Sequence, residues 1–179
     1  VIDEVILLMP FLTEILDNYG SRLEALSLSI LTDTEFHAKE NTAITMDDLH
    51  SLHGQITDSM DDVIPVKMNQ FDNYSLDQRC LECVFDFASN ALKKAPLFMV
   101  FSSCFESLIL GAANTILAKE RHDAMQAAVL FTIACLDVDG NLLCPENPEK
   151  VSLVKNQIRE LLQPHLSNLL VGCVEAIVG

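Results

Sequence analysis

The stretch LFMVFSSCFESLILGAANTIL, residues 97–117, follows Pro96 and carries a single charge, Glu106. Some twenty mostly apolar residues are enough to cross a bilayer, so its reading separates a membrane protein from a helical protein with a buried central helix. Three features favour the buried helix. Small residues (Ser102, Ser103, Cys104, Ser107, Gly111, Ala112, Ala113, Asn114) run through it and let neighbouring helices approach closely. The flanks lack the basic and aromatic anchors of a spanning segment. Amphipathic patterns lie on both sides. The segment is therefore expected to be one interior helix with no membrane insertion, its Glu106 reaching a polar partner such as a backbone amide or Lys119.

Outward from this helix, apolar residues recur at helical spacing almost everywhere. One helix is expected over about 2–18, ended by Tyr19-Gly20, and a second from Ser21, as N-cap, to about Asp33. A polar loop through Asn41 leads to a third helix over about 46–70, which Pro65 should kink or split. A fourth starts after Ser75 and ends at Lys94, where Ala95-Pro96 stops it. A sixth covers about 120–137. After the loop DVDGNLLCPENPE a seventh covers about 149–178, bent at Pro164. Helix pairs starting near 76 and 120 repeat at a spacing typical of HEAT and armadillo units, which bury their apolar faces only by stacking. The fold class is thus all-α, a HEAT-like α-α superhelix of about seven helices, with residues 1–179 as a single unit. The start inside an apolar run, without Met, suggests a segment of a longer chain.

The chain has 179 residues, half of them hydrophobic, and a net charge of −15. Residues 1–75 hold 14 acids and 3 bases, and residues 76–179 hold 12 acids and 8 bases. Such a surface repels phosphate backbones and anionic lipid, argues against direct nucleic-acid binding, and steers basic partners to the first half. Of the six cysteines only Cys80-Leu-Glu-Cys83 has ligand spacing, and no second pair accompanies it. Reduced structural thiols are the expectation.

No site chemistry assembles from the motifs. Asp137-Val-Asp139-Gly140-Asn141 opens like a calcium loop, but its Gly comes fourth and its twelfth residue is Pro148. His50 and His53, one turn apart with Asp47 nearby, suit two exposed side chains better than a metal site. His37, His122 and His165 stand alone. Phosphate loops, nucleophile elbows and zinc-protease motifs are absent from the sequence, so no enzyme, cofactor or metal is expected. The distinctive feature is the third helix: Leu49, Leu52, Ile56, Met60 and Val63 fall on one face and Asp47, Asp58, Asp61 and Asp62 opposite. These four aspartates form the candidate partner-binding face.

The run LLMPFLTEILDNYGSRLEALSLSILTDTEF, with Val63-Ile64-Pro65, Lys94-Ala95-Pro96 and AKERHDAMQAAVLFTIACLDV, resembles the C-terminal half of importin-β-type nuclear transport receptors. It is most similar to their transportin-SR and importin-thirteen branch. The resemblance covers essentially the whole chain through diffuse apolar spacings. It implies a HEAT-repeat segment that holds protein cargo during Ran-regulated transport. Ran GTPase and nucleoporins would be engaged through the full receptor, which shuttles between cytoplasm and nucleus. The branch's SR-protein carrier grips phosphorylated Arg-Ser tails with an arginine-rich helix. The corresponding helix here, LDQRCLECVFDFASNALKKAP, offers Glu82, Asp86, Ser89, Asn90 and Lys93 instead. A cargo with a basic patch therefore fits better. The alternative is a HEAT-repeat scaffold subunit that organises a protein complex.

Overall fold

The structure is a computed structural model that describes residues 2–33, 44–69, 78–118, 122–137 and 148–178. The described residues are almost all helical, with no strand among them. The helices are α1 (Ile2–Thr32), α2 (Met46–Asn69), α3 (Gln78–Lys94), α4 (Pro96–Val100), α5 (Phe105–Ala118), α6 (His122–Leu136), α7 (Pro148–Leu162) and α8 (Leu166–Val178). The 34–43 loop, Ser75, Lys119, the turn beyond Asp137, Cys144 and His37 lie outside the described residues.

Four expected boundaries are corrected. Tyr19-Gly20 does not end a helix, because α1 runs through it. Gly20 is buried, and a Cβ there would stand 3.3 Å from Lys94 Cβ. The glycine thus marks where the end of α3 presses on α1, and Asp17 holds Lys94 at 3.0 Å across the same junction. Pro65 does not split α2, which continues to Asn69 with Ile64 buried beside it.

The 97–117 segment is two helices rather than one. Ser102 Oγ donates to Met99 O at 2.6 Å, and Ser102 N donates to the same carbonyl at 3.2 Å. A serine that captures a nearby carbonyl competes with the helical ladder. The chain turns over residues 101–104 and α5 then starts afresh, Leu108 N donating to Cys104 O at 3.0 Å. The segment is interior nonetheless: all five α4 residues are buried, as are eight of α5. No described helix is long and apolar enough to cross a membrane. Finally, the bend expected at Pro164 is a 3₁₀ turn, Gln163–His165, that divides the last helix into α7 and α8.

Packing follows chain order with an alternation. Helix α3 lies between α1 and α6 and packs extensively on both, while α5 lies between α2 and α8. The α5–α6 contact joins the two rows, and α4 bridges α1, α3 and α7. Phe131 of α6 sits at the junction, 5.9 Å from the Phe85 ring of α3 and 6.0 Å from that of Phe105 of α5. Both separations are ordinary for favourable aromatic pairs. The buried hydroxyls of Ser27, Thr115 and Thr132 donate to carbonyls one turn back, so the core leaves them satisfied.

Candidate functional site

The most organised polar arrangement in the described residues is a junction between α1, α4 and α7. Pro96 occupies the first helical position of α4 and has no N–H, and Ala95 before it offers no side-chain cap. The next two amides need acceptors, since a helix start leaves its first donors unpaired. Glu24 of α1 supplies them: Leu97 N donates to Oε1 at 3.0 Å and Oε2 at 2.9 Å, and Phe98 N to Oε2 at 3.2 Å. Lys150 Nζ of α7 pairs with Oε1 at 2.8 Å, both side chains being largely shielded from water. Two amide donors, a helix dipole and an ammonium together offset the desolvation of one carboxylate.

Glu106, expected to be the buried carboxylate, is instead exposed in the first turn of α5. There it faces the favourable end of the helix dipole. The sequence carried a signal for Glu24: it lies four residues after buried Gly20 and three before buried Ser27, on the stripe that α1 buries.

The acidic face of α2 is partly as expected. Asp47, Asp58 and Asp62 are exposed and share a stripe with exposed Ser51 and Gln55. Asp61 departs from it. It is only half-exposed, its Oδ1 is buried without a hydrogen-bond partner, and its charge acts on Cys104. The residue sits at the flank of α2 that turns toward the α4–α5 break, so it belongs with the interior rather than the stripe. Asp48 closes the start of the helix. Its Oδ2 accepts from Thr45 Oγ1 at 2.6 Å and Thr45 N at 3.1 Å, while Asp48 N donates to Thr45 Oγ1 at 3.1 Å. This is a reciprocal capping box, and the Thr45 hydroxyl bond holds the Asp48 carboxyl below its usual range.

His50 is exposed, whereas His53 is half-buried with its ring edge-on to Phe98, centroids 5.0 Å apart. Burial, and secondarily the charge of His50, lowers the His53 pKa. Ile30, Leu31, Phe98 and Phe101 join His53 around a cleft of about 180 Å³. A larger groove, about 530 Å³, lies between the end of α6 and α7, with Leu136, Ile158, Leu162 and Leu166 flanked by Lys155 and Arg159. Cys80, Cys104 and Cys135 are buried. Burial pushes the Cys104 thiol up to about 11 and the Cys135 thiol further, so neither is a ready nucleophile. Among the described residues no three of His, Cys, Asp and Glu cluster as metal ligands.

On α3, Asp86 and Lys93 are exposed as expected, while Glu82 and Asn90 are half-buried. Ser89 is turned further in, its Oγ buried with no partner. No protein-family model, curated protein or solved structure matches the chain.

Proposed function

We propose that this chain is a HEAT-like segment of an importin-β-type nuclear transport receptor, holding protein cargo through an acidic surface. The observation that carries the reading is the alternation of packing: α1, α3 and α6 neighbour one another in one row and α2, α5 and α8 in the other. Stacked α-α hairpins produce this order, since each repeat contacts only the next. The exposed stripe of Asp47, Asp58 and Asp62 on α2 supports a basic partner, and the charge of −15 argues against nucleic acid as the direct one. Ran GTPase and nucleoporins act through the full receptor in this proposal, and the protein shuttles between cytoplasm and nucleus.

The same row order also suits a HEAT-repeat scaffold that organises a protein complex. Pull-down of a lysine- and arginine-rich cargo by the full-length protein, with and without GTP-loaded Ran, separates the two. A transport receptor changes its cargo retention when Ran-GTP is added. Retention indifferent to Ran-GTP favours the scaffold.

A further inference from the structure

The cleft beside His53 takes its walls from three elements of the chain. Ile30 and Leu31 come from α1, His53 from α2, and Phe98 and Phe101 from α4 and its end. Helix α1 packs on both of the others. The volume is about 180 Å³, and a benzene molecule is held in roughly 150 Å³, so one aromatic side chain fits. Phe98 already meets the His53 ring edge-on, centroids 5.0 Å apart, and Phe101 is exposed beside them. A further ring would find here the edge-to-face partners that aromatic side chains favour. The hydroxyls in the wall are already engaged: Ser27 donates to Leu23 O, Thr57 to His53 O and Ser102 to Met99 O. An apolar group that enters the cleft therefore leaves none of these donors without an acceptor.

The charge of these elements has one sign. Helix α1 after Arg22, α2 before Lys67, and all of α4 and α5 contain no lysine or arginine. Lys150, which reaches Glu24 behind Leu97, is paired with that carboxylate. Each wall has an acid close in sequence: Asp33 two residues past Leu31, Asp58 next to Thr57, and Glu106 four residues after Ser102, all exposed. We propose that the cleft receives one aromatic side chain of a basic partner segment, whose flanking lysines or arginines lie over Asp58 and Asp62. This rests on the acidic-surface reading above and deepens it: the stripe supplies attraction, and the cleft fixes where along the stripe the segment sits. Without the ring, the segment would be held by exposed ion pairs alone, which are weak and screened by salt. An anionic partner would bring its charge against the same acids, and a second copy of this chain would bring a further −15.

Fluorescence anisotropy with short labelled peptides tests the proposal. One peptide is rich in lysine and arginine with a single central Phe, a second has Ser in place of the Phe, and a third flanks the Phe with Glu. The Phe peptide should bind the protein about tenfold or more tighter than the Ser peptide, and the Glu-flanked peptide should not bind. Added salt should weaken both basic peptides while their ratio stays constant. Ile30→Ala/Phe101→Ala removes two walls of the cleft and should bring the two affinities together. Both side chains are exposed, at 55% and 37%, so circular dichroism should be unchanged. Asp58→Asn/Asp62→Asn should lower both affinities and keep their ratio. Equal affinities for the Phe and Ser peptides in the parent protein would overturn the cleft and leave the acidic surface standing, whereas no binding of either would remove both. A preference for Phe that survives Ile30→Ala/Phe101→Ala would also overturn the cleft, as would binding of the Glu-flanked peptide. If that variant misfolds, Thr57→Phe, which fills the cleft from α2, decides by the same ratio.

Discussion

Glu24 accepts from two backbone amides and an ammonium at once, in a place where water cannot substitute for any of them. Its removal should therefore cost more than an average core substitution. Glu24→Ala orphans the Leu97 and Phe98 amides and removes the Lys150 ion pair, and we expect a loss of about 3 kcal/mol in urea unfolding. Lys150→Met leaves both amide bonds in place and should lose about 1 kcal/mol. Equal losses in the two variants would show that the ion pair, and not the helix cap, holds the junction. His53 offers a second test at this scale. The folded state favours the neutral ring, so it binds fewer protons than the unfolded chain once the pH falls below about 6.5, the ordinary histidine value. Its contribution is complete above that pH and is lost progressively as the solution is acidified. Replacing it by Gln should make the urea midpoint fall less between pH 7 and pH 5 than it does in the parent protein.

At the scale of elements, the apolar periodicity located nearly every helix, because the buried faces of α2 and α3 are continuous in the sequence. Where helices begin and end was less legible. Tyr19-Gly20 has the composition of a stop, yet it serves the approach of Lys94, a contact seventy-odd residues away that no local pattern encodes. The reverse holds at Ser102-Ser103, where an apolar run conceals a turn made by a serine hydroxyl. The acidic stripe was legible for Asp47, Asp58 and Asp62, but Asp61 lies at the boundary of the two faces, and only the neighbouring α4–α5 turn decides its side. Ser21→Pro tests the continuity of α1 directly. Ser21 is exposed, so the substitution disturbs no packing. Proline is tolerated where a helix begins but costs about 3 kcal/mol or more inside one, and the larger loss is expected in thermal or urea unfolding. Gly172 reports on the second row: a Cβ there would come within 2.6 Å of Ile116 Cγ2, a branched side chain with no room to retreat in the core. Gly172→Ala should destabilise by about 1 to 2 kcal/mol despite the better helix propensity of alanine. Gly172→Ala/Ile116→Ala should lose less than the sum of the single losses.

For the molecule as a whole, electrostatics and packing pull in different directions. The rows hold together through apolar faces, while 26 acids against 11 bases push the folded chain apart. A basic ligand that engages the α2 stripe relieves part of that repulsion, which gives the proposed cargo contact a dependence on ionic strength that an apolar contact would lack. The four candidate aspartates do not contribute alike. Asp47, Asp58 and Asp62 stand in water and lose little by pairing, whereas Asp61 has one oxygen sealed from solvent without a hydrogen-bond partner. Asp47→Asn/Asp58→Asn/Asp62→Asn should therefore lower affinity for a lysine- and arginine-rich peptide by roughly fivefold to a hundredfold, taking each exposed pair at a few tenths of a kcal/mol up to about 1. The triple variant should also flatten the decline of affinity with added salt. Asp61→Asn should leave peptide affinity unchanged and alter the unfolding midpoint instead, because it changes a side chain with one unpaired buried oxygen without touching the stripe. Calorimetric titration of the peptide at two salt concentrations, run beside urea unfolding of each variant, separates these outcomes. An unchanged affinity in the triple variant would remove the stripe from the binding surface.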